Sequence, residues 1–381
     1  MVGGDLSEVS DLTPHINAVG TAVPSHDVHD AFVRWARKQV EPRLVKLFDR
    51  MAARSGIGHR WSVVPPAAGG GSPIEAGGFY HLDGFPGTAK RMELYADAAP
   101  ELALAAIADL GARAGLGGIT HIVVASCTGF VAPGIDQIIA RRLGLSPSVE
   151  RLLVGFMGCY AAVAALRSAR HIVRSDHKAR VLVVTVELCT LHLQDTGEIE
   201  PLLAMLQFGD GAAAALVTAE PRGFAIDQPF ATTLPESHDL IRWNITDQGF
   251  VMHLSGEVPN RIAQALADKA VAEAATGGRA AGELDGWAVH AGGRSILDAV
   301  QNAFALPGDA LDASRGVLND YGNMSSATLM FVLARLLAGP PIGRGLALAF
   351  GPGLAAEGFG FRSAVGGAPR AQVGEAELAA A

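Results

Sequence analysis

The segment Val154-Gly-Phe-Met-Gly-Cys-Tyr-Ala-Ala-Val163 sets Cys159 between an apolar approach and an Ala-rich, helix-forming stretch. A thiol placed there can lose its proton to a neighbouring base and gain from the positive end of the helix that follows. That combination makes a nucleophile suited to acyl transfer at neutral pH. Two later segments, Trp287-Ala-Val-His290-Ala-Gly-Gly293 and Tyr321-Gly-Asn323-Met-Ser-Ser326, offer a base and a second polar group. Acyl transfer from a thioester needs such a set: a thiolate, an imidazole that keeps it deprotonated, and donors for the developing oxyanion. His290 Nε2 and the Asn323 amide can both point at one carbonyl oxygen. On a malonyl thioester the same two donors would stabilise the enolate left when carbon dioxide departs, a step that requires no metal or redox cofactor. Each residue alone also has a plainer reading: Cys159 as a small buried hydrophobe, His290 as a satisfied core residue, Gly-Asn as a turn. Spacing alone leaves both readings open.

The elements that must position these residues alternate in type. Residues 28–60 read as helical, with Phe32, Trp35, Val40, Val45 and Phe48 among the apolar positions, and 95–110 read as an Ala-rich amphipathic helix. Pro65-Pro-Ala-Ala-Gly-Gly-Gly-Ser-Pro73 between them is a loop. His121-Ile-Val-Val-Ala-Ser-Cys127 reads as a buried strand delivering its C-terminal end to a site. The Cys159 segment opens a helix to about Arg174, and strands are predicted over 180–187 and 210–217. The second half repeats the plan, with a strand at 286–290, helices at 294–304 and 326–337, and a strand at 344–350 ending at Gly351-Pro-Gly-Leu354. Such alternation predicts largely parallel or mixed sheets covered by helices. The Gly-, Pro- and Ala-rich residues from Ser363 onward are expected to fray.

Composition narrows the class. At 381 residues, with 49% hydrophobic and 18% charged, the chain is built for a large packed core. Its 30 basic and 38 acidic residues leave a net charge of −8, which argues against a generic nucleic-acid binder. Cys127, Cys159 and Cys189 form no paired framework and no zinc-like cluster, so reduced thiols, no structural metal and a cytoplasmic setting are expected. The first residues lack a basic and apolar leader pattern, and no run approaches the roughly 20 apolar residues of a membrane span.

Five separated strings carry a resemblance. They are Gly155-Phe-Met-Gly-Cys159-Tyr-Ala-Ala, Phe208-Gly-Asp-Gly-Ala-Ala-Ala, Trp287-Ala-Val-His290-Ala-Gly-Gly-Arg-Ser-Ile-Leu-Asp298, Tyr321-Gly-Asn323-Met-Ser-Ser-Ala-Thr328 and Phe350-Gly-Pro-Gly-Leu354. In this order, over about His15 to Phe361, the chain resembles the type III polyketide synthases, the chalcone synthase family. The resemblance implies an α/β thiolase fold with a duplicated, layered αβαβα architecture. Residues 1–220 would form the half carrying Cys159, and 221–381 the half carrying His290 and Asn323. It further implies a homodimer that uses no cofactor beyond its coenzyme A thioester substrates, condensing malonyl-CoA onto an acyl-CoA starter at one Cys-His-Asn site. Cys159 would hold the acyl group. His290 and Asn323 would serve decarboxylation and the oxyanion, with His290 also maintaining the thiolate.

Other positions follow from the same resemblance. Phe208 matches a gatekeeping phenylalanine between the coenzyme A tunnel and the reaction chamber, and Met252 occupies the second gatekeeper position, where plant members carry phenylalanine. Ala132 stands where plant members place a methionine that reaches the partner's cavity. Ser126-Cys-Thr-Gly-Phe130, Val186-Glu-Leu-Cys-Thr-Leu-His192 and Trp243-Asn-Ile-Thr-Asp247 are closer to bacterial members. Cys127 and Cys189 then line the cavity or serve as small buried hydrophobes. Lys46, Arg50 and Arg54 repeat at intervals of four. This is either a solvated basic face or a cradle for coenzyme A phosphates, and the resemblance assigns the latter to Arg50 and Arg54. Gly292, Gly293 and Ser295 fall beside the pantetheine tunnel. Gly351-Pro-Gly-Leu354 lacks the third glycine and acidic partner of a dinucleotide loop and reads as cavity floor near the nucleophile.

Two other functions compete. An initiating ketoacyl-carrier-protein synthase of the same fold also uses Cys, His and Asn, but typically follows its His with a Gln-Ala-Asn pattern absent after His290. A catalytically silent scaffold is the other, and the intact triad argues against it. The bacterial-like strings and pliable Met252 point to a fatty acyl-CoA starter, extended to an alkylpyrone or alkylresorcinol.

Overall fold

The computed structural model describes residues 12–81 and 84–364. The chain opens with β1 (His15–Ala22), β2 (His26–Asp27), α1 (His29–Gln39), α2 (Val45–Ala53), β3 (Trp61–Ser62) and the long α3 (Thr88–Arg113). It continues through β4 (His121–Ser126), α4 (Ile135–Arg142), β5 (Glu150–Gly155), α5 (Ala161–Ser175), β6 (Val181–Leu188), α6 (Ile199–Met205) and β7 (Asp210–Thr218). The second half begins with β8 (Phe224–Thr233), β9 (Ile241–Thr246), β10 (Gly249–Leu254), α7 (Val258–Ala267) and α8 (Lys269–Thr276). It closes with β11 (Gly286–Val289), α9 (Arg294–Ala303), α10 (Asp312–Tyr321), α11 (Ser326–Leu337), β12 (Gly345–Gly351) and β13 (Ala355–Ser363).

Nine strands join one sheet in the order β11-β12-β13-β8-β1-β7-β6-β4-β5. Within it the same plan occurs twice. β4 runs parallel to β6, which is antiparallel to β7, itself antiparallel to β1. Likewise β11 runs parallel to β12, which is antiparallel to β13, itself antiparallel to β8. The two sets meet where β1 pairs β8, and only β5 lacks a counterpart.

The period-2 alternation of strand side chains splits the core into three. Val181 and Val183 of β6, with Ala347 and Ala349 of β12, point to a central cluster containing α5 and α11. Leu182 and Val184 turn to the opposite face, under α3. Leu346 and Leu348 turn outward beneath α7 and α9. Both faces of each set are covered, which is why these strands read as unbroken apolar runs. The layers are α3, first strand set, α5 with α11, second strand set, α7 with α9. Each fully buried Leu or Val contributes roughly 1.5–3 kcal/mol.

Several boundaries differ from the sequence reading. The helix expected over 28–60 is two, α1 and α2, because the chain is extended at Val40 and Glu41 and Pro42 opens a separate 3₁₀ turn. The helix expected over 95–110 runs the full length of α3 and absorbs Pro100. Of the two arrangements expected, largely parallel or mixed, the sheet is the mixed one, with parallel pairs confined to β4–β5, β4–β6 and β11–β12. β1, β5, β8 and β13 were not anticipated, since their Gly, Ala and polar residues dilute the apolar signal. Ser363 does not fray: its N–H donates to Ile342 O at 2.8 Å, while 365–381, like the residues before 12, lie outside the described residues.

Candidate active site

Cys159 is delivered by a sharp turn after β5. Phe156 and Gly158 have positive φ (58° and 73°), and a 3₁₀ turn at Gly158–Tyr160 leads into α5. Gly158 is required twice over: by its left-handed backbone, and because a Cβ there would lie 2.4 Å from Pro352 Cδ. The Gly351-Pro-Gly-Leu354 loop therefore packs directly on the Cys159 turn. Asn323 is set by backbone pairing: its N–H donates to Gln207 O at 2.7 Å and its carbonyl accepts from Gly209 N at 3.0 Å. His290 lies one residue past β11, its N–H bonded to Leu348 O at 2.8 Å.

These three side chains line one chamber of about 500 Å³, together with Cys127, Cys189, Phe208, Met252, Gly292 and Ser295. Gly293 is not on its wall; it is the N-cap of α9 and packs on Gln207. The Asn323 amide is half-committed. Oδ1 accepts from Ser325 N at 2.8 Å, and Nδ2 donates to Gly292 O at 3.2 Å. The second Nδ2 proton is the one available to the Cys159 sulfur, whose thiolate Asn323 favours.

Two buried histidines differ in how their ring nitrogens are partnered. His192 is fully satisfied: Nδ1 accepts from Phe250 N at 3.0 Å, which places the proton on Nε2 for donation to Thr128 O at 2.7 Å. His290 is 1% exposed, yet neither Nδ1 nor Nε2 has a hydrogen-bond partner. Buried polar groups are ordinarily paired, so an unpaired imidazole on a chamber wall is a candidate functional group.

Burial sets the electrostatics. It pushes the Cys159 thiol up to about 12, against the side chains of Ser325 and Asn323, which favour the thiolate. It pulls His290 down to about 3. Each group charged alone is disfavoured, so the resting thiolate expected from sequence is not the form burial prefers. Cys127 and Cys189 are raised well above the ordinary thiol range, chiefly by burial, and remain thiols on the chamber wall.

The sequence reading assigned no role to several neighbours. Ser325 adopts φ 46° and ψ −128°, an unusual backbone for a non-glycine residue, and its Oγ lies 3.2 Å from Cys127 Sγ. Glu187, fully buried at the end of β6, accepts from Cys127 N at 3.0 Å, Thr128 Oγ1 at 2.9 Å and the Ser326 hydroxyl. Burial pushes its carboxyl up to about 7 against those hydrogen bonds. A single acid closing the run Val-Leu-Val-Val-Thr-Val was the available signal. Trp243 Nε1 donates to Cys127 O at 2.8 Å and its ring joins the wall.

Arg50 and Arg54 lie outside the chamber, in an adjoining surface basin that also contains Arg294 and shares Leu47, Met51, Leu203, Gln207 and Ser295 with the chamber. Arg54 follows the last residue of α2, and Lys46 does not line the basin. Arg294 escaped notice in the sequence because no second basic residue accompanies it.

The fold is that of the thiolase-type acyl-transferring enzymes. It superposes on a polyketide synthase from the brown alga Ectocarpus siliculosus with TM-score 0.82, at 29% identity over 92% of this chain and 98% of that one. The type III polyketide synthase domain of Steely1 from Dictyostelium gives 0.79, at 26% identity over 93% and 100%. The N-terminal domain model of chalcone and stilbene synthases matches residues 8–221 and the C-terminal domain model residues 226–365. The chain belongs to this family, the type III polyketide synthases. Among its relatives are an alpha-pyrone synthesis polyketide synthase-like protein of Mycobacterium tuberculosis, 34% identical over 71% of this chain and 72% of that one. Another is bisdemethoxycurcumin synthase of Oryza sativa, 37% identical over 71% and 72%.

Proposed function

We propose that the enzyme loads an acyl-CoA starter on Cys159 and extends it repeatedly with malonyl-CoA. The observation that carries this reading is an unpartnered His290 imidazole lining the same chamber as Cys159 and a half-committed Asn323 amide. Cys159 Sγ attacks the starter thioester carbonyl. Its proton passes to His290 and then to the departing coenzyme A sulfur. Malonyl-CoA next loses carbon dioxide, and the electron pair of the broken C–C bond becomes an enolate. Its oxygen is held by His290 Nε2–H and Asn323 Nδ2–H. The enolate carbon attacks the Cys159 thioester, releases the sulfur, and leaves a β-ketoacyl-CoA two carbons longer.

Arg50, Arg54 and Arg294 suit the phosphates of coenzyme A at the chamber mouth, with the pantetheine arm passing Ser295 and Gly292. A smaller cavity of about 80 Å³ shares the wall residues Cys189, Phe208, Trp243 and Met252 with the chamber and is otherwise largely apolar. An unbranched Met252 can yield there. This favours a fatty acyl starter, and the M. tuberculosis relative named for alpha-pyrone synthesis favours an alkylpyrone over an alkylresorcinol. A second copy is proposed to pair along β5, an edge strand presenting Leu152 and Leu153 at 44% and 45% exposure.

Purified protein with acyl-CoAs of graded length and malonyl-CoA is expected to give alkylpyrones, read by mass, from medium and long starters, with a dimeric mass by light scattering. Exclusive use of aromatic or very short starters overturns the fatty-acyl reading. Activity only with carrier-protein thioesters and a single condensation would make it the ketoacyl synthase alternative instead.

A further inference from the structure

Arg60, between α2 and the start of β3, is 2% exposed. Among the described residues no carboxylate pairs with it. A buried cation of this kind costs several kcal/mol unless its surroundings repay it. The guanidinium bonds directly to neutral acceptors, while the charges of Asp27 and Asp210 act on it from further off and favour its charged form. Nη1 donates to Met205 O and Phe208 O, both at 2.9 Å, and Nε donates to His29 Nδ1 at 3.1 Å, while Nη2 has no partner. The guanidinium carbon lies 4.5 Å over the Phe32 ring. Burial and the Arg60 charge hold His29 down to about 4, so it stays neutral and able to accept. Arg60 itself is lowered by burial only to about 10 and keeps its charge at neutral pH.

The carbonyls it grips belong to the turn that leaves α6 and bears the gatekeeper Phe208. That turn is the one bridged to Asn323, through Asn323 N to Gln207 O and Gly209 N to Asn323 O. The Arg60 stem lies against glycine on both sides of this bridge. A Cβ on Gly209 would come within 3.5 Å of Arg60 Cβ, and one on Gly322 within 2.9 Å of Arg60 Cγ. The two segments can pair closely because neither has a side chain where the arginine passes.

We propose that Arg60 is a positioning residue that clamps the Met205–Phe208 turn and, through its bridge, sets the Asn323 amide against the reacting oxygen. It acts on the chemistry through that turn rather than at the reacting atoms, although its side chain also lines the smaller cavity. The catalytic part of this inference rests on the reading of Asn323 as an oxyanion donor; the clamping part does not.

The test compares Arg60→Lys and Arg60→Met with the wild-type full-length enzyme. Lysine keeps the charge but cannot span two carbonyls and His29 in one plane. The lysine variant is expected to fold, judged by circular dichroism and Tm, with Cys159 alkylation by iodoacetamide within about twofold of wild type. Malonyl-CoA decarboxylation should fall about 10–100-fold in kcat, the scale of a misplacement near 1 Å, with KM nearly unchanged, and methionine should be worse than lysine. Hydrogen-exchange protection of the Gly209 and Asn323 amides should drop at least ~10-fold. Unchanged protection at those two amides overturns the clamp. Lost protection with unchanged decarboxylation leaves the clamp and overturns its catalytic role. Alkylation falling in step with decarboxylation means general collapse and also overturns that role. A separate Asn323→Ala variant with intact decarboxylation would remove the Asn323 reading instead, so the two failures are told apart.

Discussion

The first and second strand sets share one topology but spend their strand ends differently. At the end of β4, Cys127 and Thr128 turn inward and donate to Glu187, so the polar groups there are consumed by the protein itself. At the equivalent end of β11, His290 is left with both ring nitrogens free. The equivalent central helices diverge too: α5 is entered through the Cys159 turn, and α11 through Asn323 and the strained Ser325. On the function proposed, one half offers a sulfur and the other offers groups to handle protons and negative charge. Duplicating a fold brings two helix starts to one point, and a reaction needing unlike partners can place one on each.

The sharpest way to break this division is to empty one side of it. Cys159→Ala is expected to abolish starter loading and all condensation while malonyl-CoA decarboxylation continues, measured by release of labelled carbon dioxide. Asn323→Ala is expected to depress decarboxylation by about 10²–10³, the usual loss for one oxyanion donor, with Cys159 still alkylated. Full condensation in either variant contradicts the split between halves.

The histidine pair sharpens the contrast further. If His290 is the proton acceptor proposed, the rate of Cys159 alkylation at pH 7 should fall at least ~10-fold in His290→Gln. The gap should close as pH rises towards the value near 12 to which burial pushes the sulfur, where hydroxide alone suffices. His192→Gln should lower Tm, by breaking a satisfied buried pair, while leaving that alkylation profile in place. Matching profiles in the two variants would erase the distinction drawn between them.

The smallest effect concerns the mouth. Arg50→Ala and Arg54→Ala should each raise KM for CoA thioesters about 5–10-fold, in line with one charge-assisted contact. Thioesters of N-acetylcysteamine, which lack phosphates, should be unaffected. Equal losses with both substrate types would remove the phosphate assignment.

Much of this was legible in the chain, for identifiable reasons. β6, β7 and β12 are buried on both faces, so their sequences are continuous apolar runs that announce themselves. β5 could not be read that way, because Glu150 to Leu153 face outward at the end of the sheet. The helices broke where local chemistry overrode periodicity, as at Pro42. Cys159, His290 and Asn323 were singled out through glycine-rich strings, since tight turns demand recognisable residues, and the fold brings all three to one chamber. Glu187, Trp243 and Arg60 were not. Their importance lies in what they meet across more than a hundred positions of chain, as when Arg60 reaches Phe208, and no local pattern encodes a meeting of that kind.

The shared layer of α5 and α11 has a consequence for how such a protein can be divided. Residues from both strand sets pack on those two helices in a single apolar cluster. A cut between Thr218 and Phe224 would separate the two motifs cleanly along the polypeptide, yet each fragment would carry half of an oily seam into water. Neither piece is a self-sufficient folding unit, and gene fission at that natural-looking seam would need the fragments to recombine before either became a protein.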